Sequence, residues 1–268
     1  MAKDNLDSST SNKKTSTLLP SLISKAPAFF VWGTWLVMLL VAIIYFFKYA
    51  KNIPLAEDWN MVGAMTGKEQ NILTWLWEQN NEHRIPLPKL ILLFLLKTTG
   101  DFRSGMLLNI FSVALVAAFF IKTVSKVRGN KTRYSDAFFP LLLLHMGNWE
   151  NFYWCWEFTF ILSTLLTSII IIVLVQYNQL LTMRHALLMG VCMVALPLSG
   201  ANGLICLVPI FPWLVYETYL QFSTSELKAK RAVAVVLLSS IIVTILFVAI
   251  YFIGYYRPYW NPPSPSLS

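Results

Sequence analysis

The sequence predicts an all-α, multi-pass transmembrane helical bundle of about seven spans, with juxtamembrane helices in the first outer loop. Apolar residues make up 56% of the 268 residues and aromatic residues 15%, whereas charged residues make up only 13%. With a mean hydropathy of +0.59, the chain is more apolar than an ordinary soluble domain. Its charged residues are also clustered, so that long segments carry none. One membrane domain is therefore expected to account for the chain.

Charge-free segments long enough to cross a bilayer follow one another along the chain. Residues 1–28 are rich in Ser, Thr, Lys and Asn, and they are predicted to form a disordered cytoplasmic tail. Phe29–Phe47 is then a charge-free run of 19 residues, about 28 Å long as a helix. The run is too long for a cleaved signal peptide, and no small-residue cleavage site follows it. The other predicted spans are Ser104–Ile121, the shorter Ala137–Trp149, Phe158–Tyr177, two short helices within Ala186–Tyr216, and Ala232–Tyr256.

Two segments need a closer interpretation. Ala186–Tyr216 is too long for one span, and Pro197 and the run Ser199–Gly203 interrupt it, which predicts two short helices joined by a turn. Pro86–Thr99 is apolar over Leu90–Leu96. A crossing there would place the next basic loop on the wrong side of the membrane, so this segment is predicted to be a juxtamembrane or re-entrant helix.

The distribution of basic residues predicts the orientation. Lysine and arginine cluster in the N-terminal tail and in the loop after Ile121, so both are predicted to be cytoplasmic. The inner side then carries 13 of the 21 basic residues and 5 of the 13 acids, whereas the outer side carries eight of each. The net charge of +8 follows from this asymmetry and does not indicate a nucleic-acid partner. We expect an integral protein of a bacterial inner (plasma) membrane, with a cytoplasmic N-terminus and its active face outside.

The first outer loop, residues 48–103, holds the main candidate site. Glu57 and Asp58 follow Pro54 and precede a predicted short helix, Trp59 to Met65. At the N-cap of that helix, Asp58 would accept hydrogen bonds from free N–H groups without any chemistry. Alternatively, Asp58 is a general base at the membrane surface, and the adjacent charge of Glu57 raises its proton affinity. The residues alone leave both interpretations open.

His83 and Arg84 lie directly before a Pro-Leu-Pro turn that would direct the chain towards the membrane. The planar guanidinium of Arg84 can bond two oxygens of a lipid-linked phosphate at once, although a headgroup anchor explains this arginine equally well. No second histidine lies at ligand spacing from His83, so no metal site is predicted. No cofactor is predicted, and a requirement for a divalent cation is left open.

The second outer loop combines aromatic residues, acids and amides over residues 147–157. The aromatic residues are typical of an interfacial belt. Rings beside amides and acids are also typical of a sugar site, and Glu150 and Asn151 are its candidates. Asn202, in the break between the two short helices, is a further candidate for substrate binding. Residues 257–268 are predicted to be an outer tail, either disordered or truncated.

The order of these features resembles that of GT-C-type integral membrane glycosyltransferases, which use polyprenyl-phosphate sugars. In that family an acidic motif follows the first span, matched here by Glu57-Asp58. Juxtamembrane helices come next, matched by Trp59–Asn80 and Pro86–Thr99. A Gly-Asp linker, here Gly100-Asp101, leads into the second span, and a later helix–turn–helix resembles Leu196–Gly203.

The resemblance covers residues 29–256, as an N-terminal seven-span core. It implies transfer of a sugar from a polyprenyl-phosphate-linked donor to a lipid or glycan acceptor on the extracytoplasmic face, with inversion at the anomeric carbon. Asp58 would be the base that deprotonates the acceptor. Arg84, together with His83, would stabilise the leaving phosphate, and Glu150 matches a second acidic position. Membrane lipids are the remaining expected partners.

Two other functions stay open at this stage. A transporter or flippase for a lipid-linked sugar would explain the helix breaks and an outer phosphate site. It should carry polar or charged groups midway through its spans, and Phe158–Tyr177 and Ala232–Tyr256 contain no charged residue. A truncated, non-catalytic membrane protein would explain a chain limited to the seven-span core, because members of the family usually have more spans.

Overall fold

The computed structural model describes residues 8–176, 181–223 and 228–258 of the chain. Regular structure in these ranges is helical, apart from one isolated bridge between Asn80 and His83. The all-α class predicted from the sequence is therefore confirmed. In chain order the α-helices are α1 (Ser8–Tyr49), α2 (Trp59–Met65), α3 (Ile72–Trp77), α4 (Pro86–Thr99), α5 (Arg103–Val127), α6 (Phe138–Leu143), α7 (Trp149–Tyr153), α8 (Phe158–Gln176), α9 (Met183–Ala195), α10 (Ala201–Ser223) and α11 (Lys228–Phe252).

Five helices among the described residues are long and apolar enough to cross a membrane, so the chain is a membrane protein. α9 is apolar but has only 13 residues. The sequence predicts about seven spans, two more than the long helices supply. The five are Lys25–Tyr49 in α1, Arg103–Val127 (α5), Cys155–Gln176 (α8 and the turn before it), Ala201–Ser223 (α10) and Arg231–Phe252 in α11.

The predicted span at Ala137–Trp149 is broken in the structure. α6 ends at Leu143, and the backbone of His145 is extended, with φ −70° and ψ 149°. The Nδ1 atom of His145 accepts a hydrogen bond from the Gly147 N–H at 3.0 Å, and such local side-chain bonds compete with helix formation. The 3-10 turn Met146–Asn148 therefore replaces the second half of the expected helix.

The broken segment nevertheless packs along much of α5. Ala137 shares an apolar cluster with Ile121, near the C-terminal end of α5. Leu144 and Phe152 share a second cluster with Met106, near the N-terminal end of α5. Positions 121 and 106 are about 22 Å apart along a helix. The chain therefore follows α5 for about this distance, although neither α6 nor α7 is longer than six residues.

The break predicted between two helices at Ser199–Gly203 is present. The 3-10 turn Pro197–Ser199 follows α9, and Gly200 has φ +103°, a conformation that favours glycine. α10 then continues through two internal prolines, Pro209 and Pro212, to a length of 23 residues. The second helix is thus longer than the short helix that the sequence predicts.

The two predicted tails are described in part. Residues 1–7 and 259–268 lie outside the described residues, as does Tyr177 at the end of one predicted span. α1 begins at Ser8, so the backbone of residues 8–28 is helical where the sequence predicts a disordered tail. At the other end, α11 finishes at Phe252 and a short non-helical segment follows it.

The first loop folds onto one end of the bundle. α4 packs against α2 and α3, and it also contacts α5, α8 and the turn before α10. Met61, Trp75, Leu92 and Leu96 from these loop helices are buried in the main apolar core. This packing brings the polar residues of the first loop next to the N-terminal ends of α8 and α10.

Gly203 is a position where the fold leaves no space for a side chain. A Cβ atom there would lie 1.9 Å from the carbonyl oxygen of Leu196, which as part of the backbone cannot move aside. We expect Gly203→Ala to destabilise the protein by about 1–3 kcal/mol, the usual cost of overpacking. The measurement is the midpoint of thermal unfolding in detergent.

Gly33→Ala is the matched control for that variant. Apart from its own stretch of helix, no described residue comes within 4 Å of a Cβ atom at Gly33, which is inside α1. Alanine is also the better helix former, so this midpoint should stay constant or rise slightly. Equal midpoints for the two variants would contradict the packing at the start of α10.

Candidate functional site

Asp58 lies at the junction of the two predicted outer loops and is fully buried, with 0% of its surface exposed. Its Oδ2 atom accepts a hydrogen bond from the Leu55 N–H at 3.1 Å, within the first loop. Its Oδ1 atom accepts one from the Trp156 N–H at 2.9 Å, in the second loop. The indole Nε1–H of Trp154 donates to the Leu55 carbonyl oxygen at 3.0 Å. Asp58 therefore joins the two loops through main-chain groups.

This arrangement corrects one structural interpretation of the sequence. Asp58 does occupy the N-cap position of α2, but its side chain makes no hydrogen bond to that helix. Both carboxylate oxygens instead bond to N–H groups that lie before and beside the helix. The contact with Trp156 could not be predicted from local sequence, because the two residues are far apart along the chain.

Burial raises the pKa of Asp58 to about 6. The N–H groups of Leu55 and Trp156 act against this shift, and the neighbouring charge of Glu57 adds to it. Glu157 lies within electrostatic range of Glu150, Glu57 and Asp58, so four acids gather around the junction. The described residues hold no group of three or more His, Cys, Asp or Glu side chains placed to bind a metal ion.

Arg84 is buried and bonded to main-chain carbonyls. Its Nη1, Nε and Nη2 atoms donate to the carbonyl oxygens of Trp77 (2.7 Å), Tyr251 (3.0 Å) and Ile253 (2.9 Å). The side chain is 7% exposed. In the structure, Arg84 thus joins the first loop to the end of α11, which differs from the open phosphate clamp that the sequence suggests.

Two polar residues beside Arg84 support the same connection. Gln79 donates to the Tyr256 carbonyl oxygen at 2.6 Å and accepts from the Tyr256 N–H at 3.2 Å. Lys89, which is 3% exposed, donates to the carbonyl oxygens of Trp75 and Glu78 and so caps the end of α3. Burial lowers the pKa of Lys89 to about 8. These residues satisfy backbone groups at the loop end of the bundle.

His83, a predicted phosphate-binding residue, and Asn202, a predicted substrate-binding residue, are brought together. Both line a small pocket with Thr159, Phe160 and Ser199. The Nδ1 atom of His83 is buried and has no hydrogen-bond partner among the residues that the structure describes. This pocket lies at the start of α8 and α10. Trp156, which bonds Asp58 at the loop junction, lies two residues before the start of α8. The two sites are therefore neighbours at one end of the bundle.

Glu150 and Asn151 lie on α7, in the second loop. Glu150 is exposed and Asn151 is partly exposed. A separate groove of about 510 Å³ runs between the end of α1 and α7. Neither residue lines that groove. Its lining consists of Tyr45, Tyr49, Met146, Trp149 and Tyr153.

Several residues that hold the site in place were missed by sequence reasoning. Asn109 of α5 is fully buried, and its Nδ2 atom donates to the Trp154 carbonyl oxygen at 2.8 Å. Tyr251 of α11 accepts the Arg84 N–H through its hydroxyl oxygen at 3.2 Å. The signal in the sequence that could have indicated them is a polar residue within an otherwise apolar run. Burying such a group costs free energy unless it is hydrogen-bonded, so a bonding partner is expected for it.

Comparisons with family models, curated proteins and solved structures find no match to this chain. The resemblance to GT-C-type glycosyltransferases therefore stays a prediction that depends on the residues quoted for it.

Replacing Arg84 tests its role between the first loop and α11. A lysine ammonium cannot reach three carbonyls that a planar guanidinium bonds together. We expect Arg84→Lys to lower the free energy of unfolding by about 2–4 kcal/mol, since hydrogen bonds to charged groups contribute about 1.5–3 kcal/mol each. Thermal unfolding in detergent provides the measurement.

Arg103→Lys is the control for this substitution. Arg103 forms an ion pair with Asp101 and is largely exposed. Exposed ion pairs contribute little to stability because solvent screens them, so its midpoint should change little. If Arg84→Lys were as stable as Arg103→Lys, the connection to α11 would be absent.

Proposed function

We propose that the chain is a membrane glycosyltransferase of the GT-C type, with Asp58 as its base. The observation that carries this proposal is the environment of Asp58. Its carboxylate is held at a loop junction, beside three other acids, and its pKa of about 6 suits proton transfer near neutral pH. Burial raises this pKa more than the N–H groups of Leu55 and Trp156 lower it.

Under this proposal the chain crosses a bacterial inner membrane seven times. The five long helices supply five crossings, and α9 supplies a sixth. The broken segment from Ala137 to Tyr153 supplies the seventh, which its path along α5 supports. α2, α3 and α4 then lie at the outer surface. The basic loop 122–133 and the N-terminus lie on the cytoplasmic side, as the positive-inside rule requires.

The proposed reaction is a single displacement with inversion. Asp58 takes the proton of an acceptor hydroxyl, and the acceptor oxygen attacks the anomeric carbon of the donor sugar. The bond from that carbon to the phosphate oxygen breaks, and polyprenyl phosphate leaves with its negative charge. His83, Asn202 and the charge of Arg84 stabilise the phosphate, while Glu150 and Asn151 contact the acceptor or sugar.

Access to Asp58 requires a local movement. The Oδ1 atom holds the Trp156 N–H, and the side chain has no exposed surface. We propose that the acceptor hydroxyl takes the place of the Trp156 N–H when the second loop moves. The Oδ1 atom of Asp58 would then accept a hydrogen bond from the Trp156 N–H before the acceptor binds and from the acceptor hydroxyl afterwards.

A second candidate is a non-catalytic membrane protein. The bonds of Asp58 and Arg84 favour it, because both side chains are buried and fully used in joining main-chain segments. In that case the acids and cations hold the loops onto the bundle and perform no chemistry. The two candidates differ in what happens when Asp58 is replaced.

The sharpest test compares Asp58→Asn with Trp154→Phe. We expect Asp58→Asn to reduce sugar transfer from polyprenyl-phosphate donors by about 100-fold or more, the usual contribution of a general base. Trp154→Phe removes a different hydrogen bond between the loops and leaves the carboxylate in place, so most of the transfer should remain. Expression and thermal midpoint are measured for both variants. Equal losses would assign Asp58 to the loop junction alone.

The pH dependence of transfer gives an independent test. Only the ionised form of Asp58 can accept a proton, and the pKa of this carboxyl is raised to about 6. The initial rate should therefore rise with pH up to about 6 and level off above it. A rate that does not change between pH 5 and pH 7 would exclude Asp58 as the base.

A further inference from the structure

We propose that one end of the bundle binds anionic phospholipids of the surrounding membrane through a basic surface. The basic surface consists of the exposed side chains of Lys25, Lys122, Lys126, Lys131 and Arg133. Its ligand is a diacyl phospholipid whose headgroup carries a net negative charge, such as phosphatidylglycerol. The proposal does not depend on the proposed sugar transfer.

The basic surface lies at the end of the bundle that is remote from Asp58. Gly105, near the start of α5, packs directly against Cys155, which lies within electrostatic range of Asp58. Lys126 is about 30 Å further along the same helix. There its Nζ atom donates to the Oε1 atom of Gln176 at 3.4 Å, at the end of α8. The basic surface is therefore separate from every candidate site described above.

Two spans and a loop meet at this end. Val31 of α1 shares an apolar cluster with Ile121 of α5 and with Ala137, which directly precedes α6. The ring of Phe30 meets the ring of Tyr134 edge-on, with 5.5 Å between their centroids. The start of the α1 span thus packs against both the end of α5 and the loop that follows it, so their basic residues form one surface.

The positions of the lysines match the boundary of a membrane. Lys25 is the first residue of the candidate span in α1, and Val127 is the last residue of the span in α5. Lys122 and Lys126 are four residues apart, so they share one face of α5. A lysine near the end of a span extends its ammonium group to the headgroups while its stem stays in hydrocarbon. These lysines are therefore expected to lie at headgroup level.

The loop after α5 is held in shape by its own hydrogen bonds. The Oδ2 atom of Asp136 accepts from the guanidinium of Arg128 and from the Arg133 N–H. The N–H of Asn130, which has φ +64°, donates to the Ser125 carbonyl oxygen at 2.9 Å. Because the backbone is fixed, binding through the exposed guanidinium of Arg133 costs less ordering of the loop.

The charge of the basic surface is not balanced by acids. Asp136 is the one acid between residues 103 and 149, and residues 8–56 contain none. This carboxylate is buried and forms an ion pair with Arg128. In the described ranges, the five residues of the basic surface have no carboxylate within ion-pair distance. They therefore attract anions over about one Debye length, roughly 10 Å.

Exposed apolar side chains lie among these cations. Val127, Tyr134 and Phe138 are each more than half exposed, and the first two directly follow Lys126 and Arg133 in the chain. The planar guanidinium of Arg133 can bond two phosphate oxygens at once. An anionic phospholipid uses both features, because its phosphate meets the cations and its acyl chains meet the apolar side chains. A soluble polyanion would use the cations alone.

The test is binding of phosphatidylglycerol to the full chain in an uncharged detergent, measured by native mass spectrometry. Phosphatidylcholine with the same acyl chains has no net charge, and glycerophosphoglycerol is the same headgroup without acyl chains. Phosphatidylglycerol should bind at least ~10-fold more tightly than either probe, since each basic residue near an anionic headgroup contributes about 5-fold in affinity. Equal affinity for either probe would overturn the proposal, as would equally tight binding of a short oligonucleotide.

A pair of double variants locates the site. Lys131→Gln with Arg133→Gln removes two charges from the basic surface. Lys48→Gln with Lys51→Gln removes the same charge from exposed lysines at the other end of α1. The first double variant should weaken phosphatidylglycerol binding ~10-fold or more, and the control less than ~2-fold. Equal losses would overturn the assignment, because binding would then follow net charge alone.

Discussion

The Asp58 carboxylate accepts hydrogen bonds from main-chain N–H groups on both sides of a loop junction and so joins the second loop to the first. The indole of Trp154 adds a further hydrogen bond between the loops, while Asn109 and the burial of Trp156 in the apolar core hold the second loop on the bundle. A buried carboxylate is costly, and here the cost is reduced by two N–H donors. The same burial keeps the pKa of Asp58 near neutral pH.

The other charged groups of the first loop follow the same physical rule. At the end of a membrane bundle, loop carbonyls and N–H groups need partners that lipid cannot supply. Arg84 and Lys89 supply donors, Gln79 supplies both kinds of group, and Asp58 supplies acceptors. These side chains fix the loop on the bundle, and Asp58 itself lies among three other acids.

Much of the fold could be predicted from the sequence. Charge-free runs gave the long helices, and Ser199–Gly203 marked the break before α10, because length and glycine content are local properties. The broken segment at Ala137–Trp149 could not be predicted, since its path depends on a side-chain bond of His145 and on packing against α5. Arg84 presents the same difficulty. Of its three carbonyl partners, Tyr251 lies in α11 and Ile253 directly follows that helix. The hydrophobic periodicity of the sequence carries no information about contacts between residues so far apart along the chain.

The central claim is that Asp58 exchanges a proton near neutral pH at the loop junction. Infrared difference spectroscopy of the full chain during a pH titration measures this directly, with Asp58→Asn identifying the signal. The account predicts a protonated-carboxyl band that is lost with a midpoint near pH 6 and is missing from the variant. A midpoint near the ordinary aspartate value of about 4, or no difference between the two proteins, would contradict it.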